Sequence, residues 1–283
     1  MLADIVSSLI RALSFIALFQ AAGVVIFIAI FGRYLDRTWH IVRRVGLLSA
    51  LAGLMLVAAH YGLEAARMAG DLRGVLDLSL QSMVLHSAMS AGAAFQVFGL
   101  ALIVTALGRS GRNEPLGLAG AASSLVGFLF VGHTATDADR SWLAGLLMLH
   151  LTAVAFWFGG LWPLFVVARR EAAGVAASIV DMFSRIATWW VPVILLAGAA
   201  MTLSLVDSWS VFAHPYGLIL LIKVIAFAVL MLLASLNKWR YAPALAVPRM
   251  AIAFQRSVAA EYFLICAVLA ATAIMTTFFS PEA

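Results

Sequence analysis

The run YGLILLIKVIAFAVLMLLASLN, Tyr216–Asn237, carries a single charge, Lys223, across 22 residues. A helix needs about 20 consecutive apolar residues to cross the hydrocarbon of a bilayer. The apolar residues here are continuous and do not alternate, which excludes a strand of a closed membrane barrel. Outward from this run, seven further stretches have the same character: Ser8–Gly32, Val45–Met68, Gln81–Leu107, Pro115–His133, Trp142–Ala168, Phe183–Val206 and Ser257–Phe279. The expected fold is an all-α membrane protein, a bundle of eight transmembrane helices. The short connections leave no room for an inserted soluble domain, so residues 1–283 are expected to form a single polytopic membrane domain.

Composition agrees. Hydrophobic residues make up 64% of the chain and charged residues 11%, against about a quarter charged in a soluble domain. The net charge of +5 therefore points to cytoplasmic loops and a lipid bilayer rather than to nucleic acid. The lone cysteine, Cys266, excludes an internal disulfide and any thiolate cluster. The N-terminus, with Asp4 and Arg11 before the apolar run and no clear small-residue cleavage site, does not read as a cleaved signal peptide.

The basic residues fix an expected orientation. Thirteen of the 18 Lys and Arg, from Arg33 to Arg256, lie in or beside the loops after spans one, three, five and seven. Four lie on the other side: Arg11, Arg67, Arg73 and Arg140. The positive-inside bias places both termini outside the cytoplasm.

With that orientation, five of the six histidines fall in the outer half of the protein. His60 and Glu64 are four apart and share a helix face. Met83, His86 and Met89 step by three, which offers one imidazole between two thioethers. His150, with Met148, lies in the outer half of span five. His133 ends span four beside Asp137 and Asp139, and His214 precedes span seven. Imidazole suits copper in both oxidation states, and thioether selects Cu(I). The bland alternatives are interhelical hydrogen bonds for the histidines and packing for the methionines. Gln20 and Gln96 lie mid-span, where an amide commonly joins helices. Glu261 lies toward the cytoplasmic end of the last span, within reach of a basic loop residue.

Several motifs follow one another in order: Gly132-His133, Leu149-His150, Trp157-Phe158-Gly159-Gly160-Leu161, Met182-Phe183-Ser184-Arg185, Pro215-Tyr216-Gly217, Lys223, Asn237-Lys238-Trp239 and Glu261. Together, over residues 130–265, they resemble the copper resistance protein D family (CopD/PcoD). The resemblance implies a multi-pass protein of the bacterial inner membrane that works in copper homeostasis and resistance. It also implies a possible periplasmic copper-binding partner of CopC type. No such β-domain is seen here, so that partner is expected as a separate chain. His133 and His150 carry over as expected copper ligands, and Lys223 and Glu261 match the pattern.

The resulting expectation is copper transport from the periplasmic side, without enzymatic activity, through metal ligands His60, His86, Met89, His133 and His150 converging in one outer cavity. Two alternatives remain open. One is a factor that loads copper without passing it through. The other is a b-type haem electron carrier using paired histidines as axial ligands.

Overall fold

The computed structural model describes residues 2–109, 113–130, 140–205 and 215–278. Among these residues every regular element is helical. The α-helices are α1 (Leu2–Phe31), α2 (Trp39–Ala69), α3 (Leu78–Leu85), α4 (Ala88–Gly108), α5 (Glu114–Val126), α6 (Arg140–Arg170), α7 (Ala173–Leu205), α8 (Pro215–Leu236) and α9 (Pro248–Phe278). Seven segments, built on α1, α2, α4, α6, α7, α8 and α9, are long and apolar enough to cross a membrane. The fourth sequence-derived span is represented by α5 and the 3₁₀ turn that continues it, a shorter apolar segment over Glu114–Phe130. Its expected end at His133 lies outside the described residues.

The expected third span, Gln81–Leu107, is divided. Asp77 caps α3 by accepting from Ser79 and Leu80 N–H at 2.9 and 3.3 Å. The helix stops at His86, and Ser87, in extended conformation, starts α4. The Ser87 hydroxyl donates to Val84 O at 2.7 Å, so local side chains satisfy backbone groups that a continuous helix would use. Met83 and Met89 consequently sit on two different helices, and the single face expected from their spacing is not formed.

The bundle is organised around α1 and α6. α1 packs against α2, α5, α6 and α9. It crosses α6 where Gly23 faces Gly159 and Ala155; a Cβ on either glycine would overlap the opposite backbone. Burying apolar surface gives little advantage when the alternative solvent is lipid, so close backbone approach by small residues is a main source of helix affinity. Gln20 adds a polar tie at the same crossing, its Nε2 donating to Gly159 O at 3.0 Å, as the mid-span amide suggested. A second glycine pair, Gly99 and Gly120, joins α4 to α5 in the same way.

The ends sort by charge. Near the basic-rich loops, the Glu171 carboxylate accepts from Arg37 N–H at 3.0 Å, Thr38 N–H at 2.9 Å and the Thr38 hydroxyl at 2.6 Å, clamping the α1–α2 turn to the α6–α7 turn. Arg43 reaches the carbonyl of Arg109 at 3.2 Å, tying α2 to the end of α4. At the opposite end Arg67 pairs with Glu64 at 2.9 Å and approaches Asp4 at 3.6 Å. There Arg11 donates to Thr276 O at 3.3 Å, closing α1 onto α9.

Candidate functional site

Three of the four expected histidine ligands can be placed; His133, like Asp137, Asp139 and His214, lies outside the described residues. His60 sits on α2 facing α1, its Nδ1 3.4 Å from the hydroxyl of buried Ser7. One helical turn further on, Glu64 accepts two hydrogen bonds from Arg67. His60 thus borders an ion-paired network at the end of the bundle where α1 begins and α2 finishes.

His86 is exposed at the α3–α4 break. Its Nδ1 lies 2.7 Å from Ser82 O. His150, half-buried on α6, points its Nδ1 at Ile194 O of α7, 3.0 Å away. The ring packs against Gly198, where a Cβ would stand in ordinary contact, 3.6 Å from His150 Cε1. Lys223 on α8 lies close enough to interact electrostatically with the imidazole. A carbonyl can only accept, so at both His86 and His150 the Nδ1 carries the hydrogen. In the neutral ring this leaves Nε2 with its lone pair, the tautomer of a metal-ligating imidazole oriented through its other nitrogen.

The three imidazoles are held by different neighbours, α1 for His60, the His86 helix itself, and α7 for His150, and no hydrogen bond joins one to another. Among the described residues no group of three or more His, Cys, Asp or Glu side chains is arranged to hold a metal ion. Met89 is half-buried on α4 and Met83 largely exposed on α3. Met148 packs against the core.

A second constellation lies deeper, which the sequence suggested only as separate motif residues. Along α6 four consecutive residues each have a distinct contact. The indole of Trp157 lies beside Glu261 of α9. Phe158 stacks on Tyr262, ring centroids 4.8 Å apart. Gly159 meets Gly23 of α1, and Gly160 makes room for the ring of Phe183 on α7. Phe183 also stacks on Phe156 at 4.8 Å. Glu261 is 2% exposed and accepts a short hydrogen bond from Asn237 Nδ2. Asn237 opens a π turn, Asn237–Tyr241, that ends α8. The expected pairing of Glu261 with a basic loop residue is replaced by this neutral donor and the neighbouring indole. Lys238, next to Asn237 in sequence, donates instead to the Thr188 hydroxyl at 2.6 Å. Sequence spacing could not pair residues 157, 237 and 261, because the contact depends on three helices meeting. The available signal was that all three fall within the ordered motif series.

Comparison with known families assigns both halves of the chain. Residues 1–145 match the model for the copper resistance protein D-like N-terminal domain, and residues 177–275 match that for copper resistance protein D. No curated protein and no solved structure matches the chain.

Proposed function

The chain belongs to the copper resistance protein D family, and on that premise we propose that it transports copper across the inner membrane from the periplasmic side. Family membership and the membrane-length helices make it a multi-pass copper-resistance membrane protein. The transport reading rests on the tautomer of His86 and His150: each has Nδ1–H anchored to a backbone carbonyl, which leaves Nε2 to bind the ion. Copper is cargo in this scheme, and the protein is a carrier rather than an enzyme.

In this reading the chain forms one domain of eight spans, with α5 and the residues after it as the fourth, and both termini extracytoplasmic. His133 captures copper, delivered by a separate partner of CopC type. His86 and His150 then take it inward, with His60 and Met89 assisting. Imidazole nitrogen and thioether sulfur replace the water the ion gives up. A reporter fused at the C-terminus and another at Arg169-Arg170 should lie on opposite sides of the membrane; the same side for both would overturn the topology.

One observation favours the loading-factor reading instead. Toward the basic-rich end the soft side chains are sparse: Met55 is 76% exposed and Met231 packs into the core. Proteoliposomes holding an internal Cu(I) chelator separate the two. External copper should reach the chelator with wild-type protein and fail to do so with His150→Ala. Bound copper without flux, also in the presence of the periplasmic partner, would assign the protein to loading.

A further inference from the structure

The carboxyl of Glu261 has no role in the copper route, yet it is the most deeply buried acidic group among the described residues. It lies on α9, 13 residues from Pro248 and 17 from Phe278, level with the point where α8 gives way to the π turn. Carboxylates are rare inside bilayers, and where present they pair with a cation or serve a function. Among the described residues Glu261 has no cationic partner. The ionisable groups on the elements packed around it are Asp4 and Arg11 on α1, His150, Arg169 and Arg170 on α6, Lys223 on α8, Lys238, Arg240 and Tyr241 on the π turn, and Arg249, Arg256, Tyr262 and Cys266 on α9. None is bonded to Glu261, whose hydrogen-bond partner is Asn237, with the Trp157 indole beside it.

The Asn237 amide supplies an independent observation. The residue is 8% exposed; its Nδ2 donates to Glu261 Oε1, while its Oδ1 is buried without any hydrogen-bond partner. Such an orphan acceptor is costly. A carboxylate cannot relieve it, since an ionised carboxyl only accepts. A protonated carboxyl carries an O–H donor beside a carbonyl acceptor, the complement of a primary amide. The indole of Trp157 can donate to either form. The pair is therefore built with one indole beside it, one amide that reads the proton, and no countercharge bonded to it among the described residues.

The π turn gives this pair an outlet. Asn237 begins the turn, and two residues later Trp239 is 73% exposed, followed by exposed Arg240. Single π turns inside helices are often found at functional sites, where the extra residue shifts the hydrogen-bond register. The basic-rich end of the bundle is thus one turn from the buried amide.

We infer that Glu261, Asn237 and Trp157 form an intramembrane proton-exchange site, in which the Glu261 carboxylate takes up one proton and releases it toward the basic-rich end. Uptake creates the O–H that Asn237 Oδ1 lacks; release returns a carboxylate held by Asn237 N–H beside the Trp157 indole. The further step, that this proton is coupled to copper passage, rests on the transport reading above.

Infrared difference spectra of the full-length protein, recorded without copper between acid and alkaline pH, test the site by itself. The wild type should show a protonated-carboxyl carbonyl band that appears and disappears with pH, is lost in Glu261→Gln and shifts in frequency in Asn237→Ala. Size-exclusion profiles unchanged from wild type confirm that both variants fold. A band absent at every pH, or present at every pH without change, would overturn the proton-exchange site. Copper flux into chelator-loaded vesicles tests the coupling: its dependence on pH should flatten in Glu261→Gln, and flux equally pH-dependent in that variant would overturn coupling. Failure of the copper reading would abolish flux in the wild type and leave the infrared result standing.

Discussion

Helices α6 and α8 are both long enough to cross a bilayer, but their surroundings are opposite. α8 has the most apolar window of the seven membrane-length segments and only 17% of it is buried in protein. α6 is among the least apolar and has 67% buried. Hydropathy measures compatibility with lipid, and lipid tails are as apolar as leucine, so it does not say which helix is central. Position is decided by what a helix can offer a neighbour. α6 offers Gly159 for backbone contact, the Trp157 indole beside Glu261 and Phe158 for stacking. α8 offers mostly leucine and isoleucine, among them Leu221, Ile222, Ile225 and Leu232, all largely exposed.

The largest expected effect breaks the comparison at its root. Gly159→Val drives a branched side chain into the backbone of Gly23, which cannot escape by changing rotamer. The loss should be at least about 3 kcal/mol, the upper end for overpacked sites. Leu232→Ala on α8, at a position 66% exposed, should stay within about 0.5 kcal/mol. Thermal denaturation of the detergent-solubilised protein reads both, and equal shifts would refute the assignment of α6 as the central helix.

A second test asks whether the central helix also carries function. His150 is seated by α7, whereas His86 is exposed at a helix break. The double variant His86→Ala with His150→Ala should lose stoichiometric copper binding while melting as the wild type does. Metal analysis of the purified protein checks it, and retained stoichiometry would move the site elsewhere.

The first two tests bear on parts of the molecule that were unequally legible in sequence. The apolar runs sufficed to identify the membrane helices, because length and continuity are local properties. The division of span three at His86 was hidden, since the His86 and Ser87 side chains satisfy the backbone carbonyls of Ser82 and Val84 and composition treats such side chains as tolerable in a helix. The candidate imidazoles were found by type and depth, but their partners were not: Ser7, Ser82 and Ile194 are ordinary residues chosen by helix packing. Glu261, Asn237 and Trp157 were visible as members of one motif series, while their meeting required the α6–α9 crossing, which no spacing along one helix encodes.

A smaller effect is expected at the basic-rich end. Glu171 accepts three hydrogen bonds across two turns. Glu171→Ala should cost roughly 1.5–3 kcal/mol, the range for hydrogen bonds to a charged group, read as a lower melting temperature. No change would show that the central α1–α6 crossing alone sets the spacing of those turns.

The smallest effect is local. Hydrogen bonds from Ser79 and Leu80 hold the Asp77 carboxyl below its ordinary range. A group shifted downward in the folded state contributes its stabilisation above the unfolded value and loses it as pH falls through the folded one. Hydrogen exchange at the α3 amides should accelerate on acidification in the wild type, beyond the intrinsic pH effect, and Asp77→Ala should show the fast behaviour at every pH. Protection in α6 should be indifferent to either change.

The central place of α1 has a consequence in time. This helix leaves the ribosome before the helices it packs against, yet the carbonyl that Gln20 will meet belongs to Gly159, 139 residues later, and the one that Arg11 will meet belongs to Thr276, 265 residues later. At about 5–20 residues per second of synthesis, the amide waits on the order of ten seconds in the membrane without its protein partner, and the guanidinium longer still. A chain in which α9 is not yet in place therefore keeps the Arg11 cation unmet by that carbonyl.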